Sequence, residues 1–128
     1  MTGAIVFISR NRVLPGKLDG LRAFLAAGAP MIEAAKPRTL AFLPYLDARG
    51  ELLSIVHVFA DAAAFDLHLA GSDDRSTAAY EFIASLGFEL YGRVSDHARS
   101  TLDAAAAAAG VELRSLPELP AGFLRNAP

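Results

Sequence analysis

The order of elements along this 128-residue sequence predicts an α+β domain of the ferredoxin-like type, β-α-β-β-α-β, followed by a C-terminal helix and tail. Three observations carry that prediction. Segments rich in Val, Ile, Leu and Phe alternate with segments whose apolar residues recur at helical spacing. Pro, Gly or Asp marks nearly every junction. The strands, finally, are apolar on both of their faces, so each face needs a cover.

Ala4 to Val13 reads as the first strand, and Pro15-Gly16 ends it. Leu18, Leu21, Phe24, Leu25, Met31 and Ile32 then recur on one helical face through Ala35. Pro30 interrupts that helix, and a kink or a new turn is expected there, because proline lacks the amide donor. Thr39 to Leu46 and Glu51 to Phe59 form a hairpin across Asp47-Ala48-Arg49-Gly50. Asp61 is placed to cap a short helix over Ala62 to Ala70, and a second helical run from Thr77 to Leu86 is stopped by Gly87. Phe88 to Ser95 is read as the fourth strand. Asp96 is expected to cap the last helix, which runs to Ala109, and Val111 to Leu116 is a short fifth strand.

Two divisions of the chain follow: a ferredoxin-like domain over 1–97, and a helix and extension over 98–128 that pack on the domain or on a partner. If the sheet's second face were wet, polar residues would alternate with apolar ones. Instead Ile5, Val6, Phe7 and Ile8 are all apolar, as are Leu40, Ala41, Phe42 and Leu43. The third strand leaves only Ser54 and His57 polar. Helices cover one face, and the sheet of a second copy is the simplest cover for the other.

Composition points the same way. Hydrophobic residues make up 53% and charged residues 20%, which rules out a disordered chain and leaves apolar surface to bury in a homodimer. The formal net charge of −2 and scattered basic residues argue against nucleic acid, whose phosphates select a basic stripe. Absence of cysteine removes disulfides, thiolate metal sites and Cys nucleophiles. No signal-peptide pattern and no membrane-length apolar run stand in the sequence, so a cytoplasmic protein is expected.

The stretch Phe7-Ile8-Ser9-Arg10-Asn11-Arg12-Val13-Leu14-Pro15-Gly16-Lys17, followed by Leu18 and Leu21, resembles the start of the antibiotic biosynthesis monooxygenases. Pro37-Arg38-Thr39-Leu40 and the string from Phe59 to Leu69 are similar to that family too, and the resemblance covers residues 4–97. It implies a dimeric α/β barrel, with two sheets face to face and a pocket in each subunit between sheet and helices. It also implies monooxygenase chemistry without a cofactor on a small aromatic such as a quinol, phenol or polyketide. Haem-degrading relatives carry a tryptophan that this sequence lacks, which argues against haem degradation here.

Asn11 matches an asparagine that holds substrate or an oxygen species in that family, a role suited to a group that both donates and accepts hydrogen bonds. His68 matches a pocket-facing histidine, and a neutral imidazole can act as a base near pH 7. These two are the catalytic candidates; the bland alternative for each is a polar side chain satisfied in the fold. His57, Tyr45, Tyr91, Arg93 and Phe65 are candidates for binding the ligand. Tyr45, Tyr91 and Arg93 are expected on the same side of the sheet as Asn11, although tyrosines serve a dimer interface equally well. His57, among Leu53, Ile55 and Phe59, and Phe65 are also ordinary core positions. No metal-ligand spacing, phosphate loop or glycosidase-like carboxylate pair is present.

The first functional reading is therefore a cofactor-independent monooxygenase with a small apolar aromatic ligand. The alternative is a non-catalytic ligand-binding or structural dimer of the same fold. A lyase, cyclase or isomerase would need an acid–base pair, for which His68 with Asp61 or Asp66 is the candidate.

Overall fold

The computed structural model describes residues 3–125, the Asp73 side chain excepted. The last three residues of the 98–128 extension, and the first two of the chain, lie outside that range. The order is β1 (Ile5–Val13), α1 (Leu18–Ala35), β2 (Thr39–Leu46), β3 (Leu52–Phe59), α2 (Ala62–Leu69), α3 (Ser72–Ala79), β4 (Ile83–Tyr91), α4 (Asp96–Ala109) and β5 (Leu113–Leu116). The strands make one sheet in the order β2-β3-β1-β4-β5. The first four are antiparallel, as the ferredoxin-like reading requires, and β5 joins β4 in parallel to make a five-stranded mixed sheet.

Several details differ from the sequence reading, and the largest have a physical reason. The helix expected to reach Leu86 stops at Ala79, and β4 begins at Ile83 rather than Phe88, because Ile83, Ala84 and Ser85 pair with Val13, Arg12 and Asn11 of β1. Gly87 is consequently not a helix stop. It sits inside β4 at φ +150°, where the β1–β4 register shifts. Ser95, not Asp96, caps α4: its Oγ accepts from Ala98 N–H at 3.0 Å and donates to Asp66 at 2.7 Å, which ties the start of α4 to α2. Finally, α1 runs unbroken through Pro30 with no new turn. Pro30 and Ala26, whose carbonyl loses its donor, are both exposed, so water can replace that bond.

The register divides the sheet into two faces. Ile5, Phe7, Ser9, Asn11 and Val13 of β1 share the inner face with Leu53, Ile55, His57 and Phe59 of β3. Two apolar clusters form there. One gathers Val13, Leu21, Leu53 and Ile83 under α1, with the tilted Phe24 and Phe82 rings 5.3 Å apart beside it. The other joins Ile5, Phe7, Phe59, Phe88 and Leu90 to Phe65 of α2 and to Ala98, Leu102 and Ala106 of α4. The C-terminal helix is thus built into the inner core. On the outer face Val6, Ile8, Leu43, Val56 and Val58 lie side by side. The buried apolar residues of α1, α2 and α4 all join inner-face clusters, and Leu43, Leu52, Leu86 and Leu116 are exposed. Among the described residues no helix is long and apolar enough to cross a membrane.

Candidate functional site

Where the two inner clusters meet, the sheet carries a band of polar side chains. Strand alternation places Ser9 and Asn11 there from β1, His57 from β3 and Ser85 from β4, with Phe42 of β2 alongside His57. His68 enters from the last turn of α2, one helical turn after Phe65. Asp61 starts that helix by accepting from Ala64 N–H at 2.8 Å, and Arg38 grips both carboxylate oxygens of Asp61 at 3.0 Å. The far end of α2 is held by Lys36, which donates to the carbonyls of Leu67 and Ala70, and by Arg75, which donates to that of His68. Cations on the last carbonyls suit a helix C-terminus and fix the height of His68 over the sheet.

Asn11, His57 and His68 are only 3%, 7% and 6% exposed. Asn11 donates from Nδ2 to Ser9 Oγ at 2.9 Å and Ser9 O at 3.2 Å, with a longer contact of 3.5 Å to Leu53 O. His57 Nδ1 lies 3.0 Å from the Phe7 carbonyl, which can only accept, so that nitrogen carries the proton and Nε2 is the free acceptor. The His68 ring meets His57 edge-on at 5.2 Å and Phe59 at 5.1 Å, and its Nδ1 is 2.8 Å from Thr39 Oγ1. Phe7, Phe42 and Phe59 complete an aromatic wall around His57.

Burial sets the charge state of both rings. Desolvation pushes His57 down to about 4, against the pull of the Phe7 carbonyl. Desolvation, then His57, Arg75 and Lys36, push His68 down to about 3. Both imidazoles are neutral at pH 7. His68 is therefore a far weaker base than the expected group poised near pH 7, and its neutral ring is suited to hydrogen bonding. Ser85 Oγ is the one buried side-chain polar atom without a hydrogen-bond partner among the described residues. Such an orphan costs about 1–3 kcal/mol relative to a satisfied group.

The other candidates fall elsewhere. Phe65 is fully buried against Phe7 and Phe59. Tyr45 pairs with Ser54, and Tyr91 with Val6, which puts both tyrosines on the outer face, opposite Asn11. Tyr45 is 61% exposed, and the Tyr91 hydroxyl donates to Glu89 at 2.5 Å. Arg93 lies beyond the end of β4, in a cleft of about 470 Å³ with Gly92, Pro117 and Leu119. A second cleft, of about 210 Å³, is lined by Arg10, Phe88, Glu89, Glu112 and Arg114. Neither cleft contains Asn11, His57 or His68. The acid–base pair of the lyase-type reading does not form, since His68 bonds Thr39 while Asp61 holds Arg38 and Asp66 holds Ser95. Among the described residues no group of three or more His, Asp or Glu could hold a metal ion.

Sequence reasoning missed Ser9, Thr39 and Ser85. The available signal for Ser85 was Gly87: an isolated glycine amid Ile83, Leu86, Phe88 and Leu90 also reads as a bulge in a strand.

No protein-family profile matches this chain, and no curated protein matches it in sequence. Solved structures do match it in shape. MupZ from Pseudomonas fluorescens superposes with a TM-score of 0.71 at 15% identity, over 95% of this chain and 94% of its own. A Caulobacter crescentus CB15 protein assigned to the antibiotic biosynthesis monooxygenases gives 0.61 at 18% identity, over 73% of this chain and 92% of its own. SnoaB from Streptomyces nogalater, a cofactor-independent oxygenase, gives 0.59 at 20% identity, over 73% and 95%. The last two leave about a quarter of this chain unmatched, whereas the MupZ match spans nearly all of it. The chain has the ferredoxin-like fold of the antibiotic biosynthesis monooxygenases.

Proposed function

We propose that this protein is a cofactor-independent monooxygenase that takes a small electron-rich aromatic, a quinol, phenol or polyketide-like ring, between the sheet and its helices. The observation that supports this best is the polar band itself: Asn11 and two neutral imidazoles set in an aromatic wall and shielded from water. Such chemistry asks little of the protein. The substrate gives up a proton, and its anion passes electrons to oxygen. One oxygen atom is added to the ring system and the other leaves as water, the electrons coming from the substrate. A dry site with hydrogen-bond donors lowers the energy of the anion. Asn11 would supply that donor by exchanging its contact with Ser9 for the ligand, and the neutral His57 and His68 would orient the ring oxygens.

The protein would work in the cytoplasm as a homodimer, with the outer faces of two sheets packed together. Tyr45 and Tyr91 then belong to that interface, not to the ligand pocket. The low basicity of His68 favours a second reading, in which the same site binds a small aromatic without transforming it.

Oxygen uptake separates the two. Purified protein without added flavin or metal is given a panel of quinols and anthrones. A rate above background that falls at least tenfold in Asn11→Ala and His68→Ala supports the monooxygenase. Absence of uptake by a folded protein that still binds the compounds supports the binding reading.

A further inference from the structure

We propose that Ser85 is a ligand-binding residue, its hydroxyl making a hydrogen bond to an oxygen of the bound aromatic beside Asn11. The proposal rests on the reading of the inner polar band as the ligand site. It adds a group that the sequence pattern had placed in a helix.

The backbone is arranged to bring Ser85 to that spot. In the β1–β4 ladder Gly87 stands opposite Arg10. A regular ladder would then set Leu86 opposite Asn11, on the inner face. The register shift inserts Leu86 as an extra residue instead and sets Ser85 opposite Asn11. Leu86 is turned out to 44% exposure. The bulge thus exchanges an isobutyl group for a hydroxyl next to the candidate asparagine. Its conformation depends on glycine: Gly87 has φ +150°, and a Cβ there would lie 2.9 Å from Nη2 of Arg10.

The hydrogen bonds leave Ser85 free for a ligand. Asn11 Nδ2 is taken up by Ser9 Oγ and two carbonyls, and none of these contacts involves Ser85. Ser85 Oγ is buried and unpartnered. Its inner-face neighbours in the ladder, Asn11, Ile83 and Phe88, and Leu53 beyond Asn11, carry no charge. A site of this kind suits a phenolic hydroxyl, an enolate or a ring carbonyl, and not a carboxylate or phosphate that would arrive with unpaired charge.

The test compares binding of 1-naphthol and naphthalene, which differ by the hydroxyl alone, to the wild-type chain, Ser85→Ala, Asn11→Ala and the double variant. Ser85→Ala is expected to weaken 1-naphthol about three- to tenfold, to leave naphthalene unchanged and to keep or raise the Tm of the ligand-free protein. Ser85→Cys, which keeps the volume but donates weakly, is expected to show the same pattern. Equal 1-naphthol affinity in wild type and Ser85→Ala overturns the role of Ser85 and leaves the inner-face reading intact. A lowered Tm with unchanged discrimination identifies a hydroxyl satisfied by an internal water, which also overturns it. Failure of the wild-type chain to bind either compound overturns both.

Discussion

The two faces of this sheet have nearly the same sequence character and opposite structural fates. On the inner face Ile5, Phe7, Leu53 and Phe59 are covered by α1, α2 and α4, and the few polar groups among them are individually placed. On the outer face Val6, Ile8, Leu43, Val56 and Val58 form an equally apolar layer with no helix above it among the described residues. A polar chain crosses that layer too, but it is charged: Arg10 pairs with Glu89 at 3.3 Å, and Tyr91 donates to Glu89. Neutral polar groups in a covered face and charged ones in an open face answer the same constraint. A charge taken out of water without a partner is far costlier than a neutral amide, hydroxyl or imidazole. The inner face can therefore hold Asn11, Ser85 and two neutral histidines permanently, while the outer face keeps charges that remain hydrated until something packs over them.

The largest effect that separates the faces is a cavity. Phe65→Ala removes a fully buried ring from beneath α2 and is expected to cost about 3–5 kcal/mol in urea unfolding. Leu43→Ala on the outer face is expected to cost less than about 1 kcal/mol of intramolecular stability, because Leu43 is already 41% exposed. If two outer faces pack together as proposed, Leu43→Asp should instead act on association, shifting sedimentation from dimer to monomer. If Leu43→Asp unfolds the subunit and leaves its mass in solution unchanged, the outer face is not the interface.

Acid should break the inner face at its histidines. His57 near 4 and His68 near 3 are both depressed from 6.5 by burial, so between those values and 6.5 the unfolded chain binds more protons than the native one. Stability is fully present above pH 6.5 and declines as pH falls from about 6.5 towards about 4 and 3. The two rings are in contact, and together the decline is on the order of a few kcal/mol. Urea midpoints at pH 7.5, 5.5 and 4.5 measure it. His68→Gln, which keeps a hydrogen-bonding group for Thr39 and has no such titration, should give a shallower slope than the wild type; an equal slope would assign the acid sensitivity to other groups.

The sequence made the layers of this fold readable and left the site half hidden, and the reasons differ by residue. Two-faced apolar strands, Asp61 as a cap and Gly110 as a stop are local signals, and all three describe the structure. Helix–strand choice at Ile83-Ala84-Ser85-Leu86 was not local. Those residues extend the run after α3 acceptably by propensity, and only pairing with β1 makes them strand. Facing depended on register in the same way. Tyr45 and Tyr91 were expected beside Asn11, yet one residue of alternation puts each on the far side. Asn11 and His68 could be singled out because the resemblance named them. Thr39 and Ser85 could not, because a lone hydroxyl residue carries no pattern until the fold buries it.

The smallest effect tests whether the outer polar chain belongs to a covered face. Glu89 is half-buried in the isolated subunit, and the partnering Arg10 side chain is 50% exposed. An ion pair so open to solvent contributes less than about 1 kcal/mol, so in the Leu43→Asp background Glu89→Gln should hardly move the urea midpoint. In the wild-type background the outcome depends on what lies over the sheet. If a second copy covers it, the pair loses its water, and removing the carboxylate leaves the Arg10 guanidinium buried without its counter-charge. Glu89→Gln should then weaken self-association by at least tenfold while leaving the fold of each subunit intact. Equal, negligible effects in both backgrounds would mean that the charges stay hydrated and that this end of the sheet lies outside any interface.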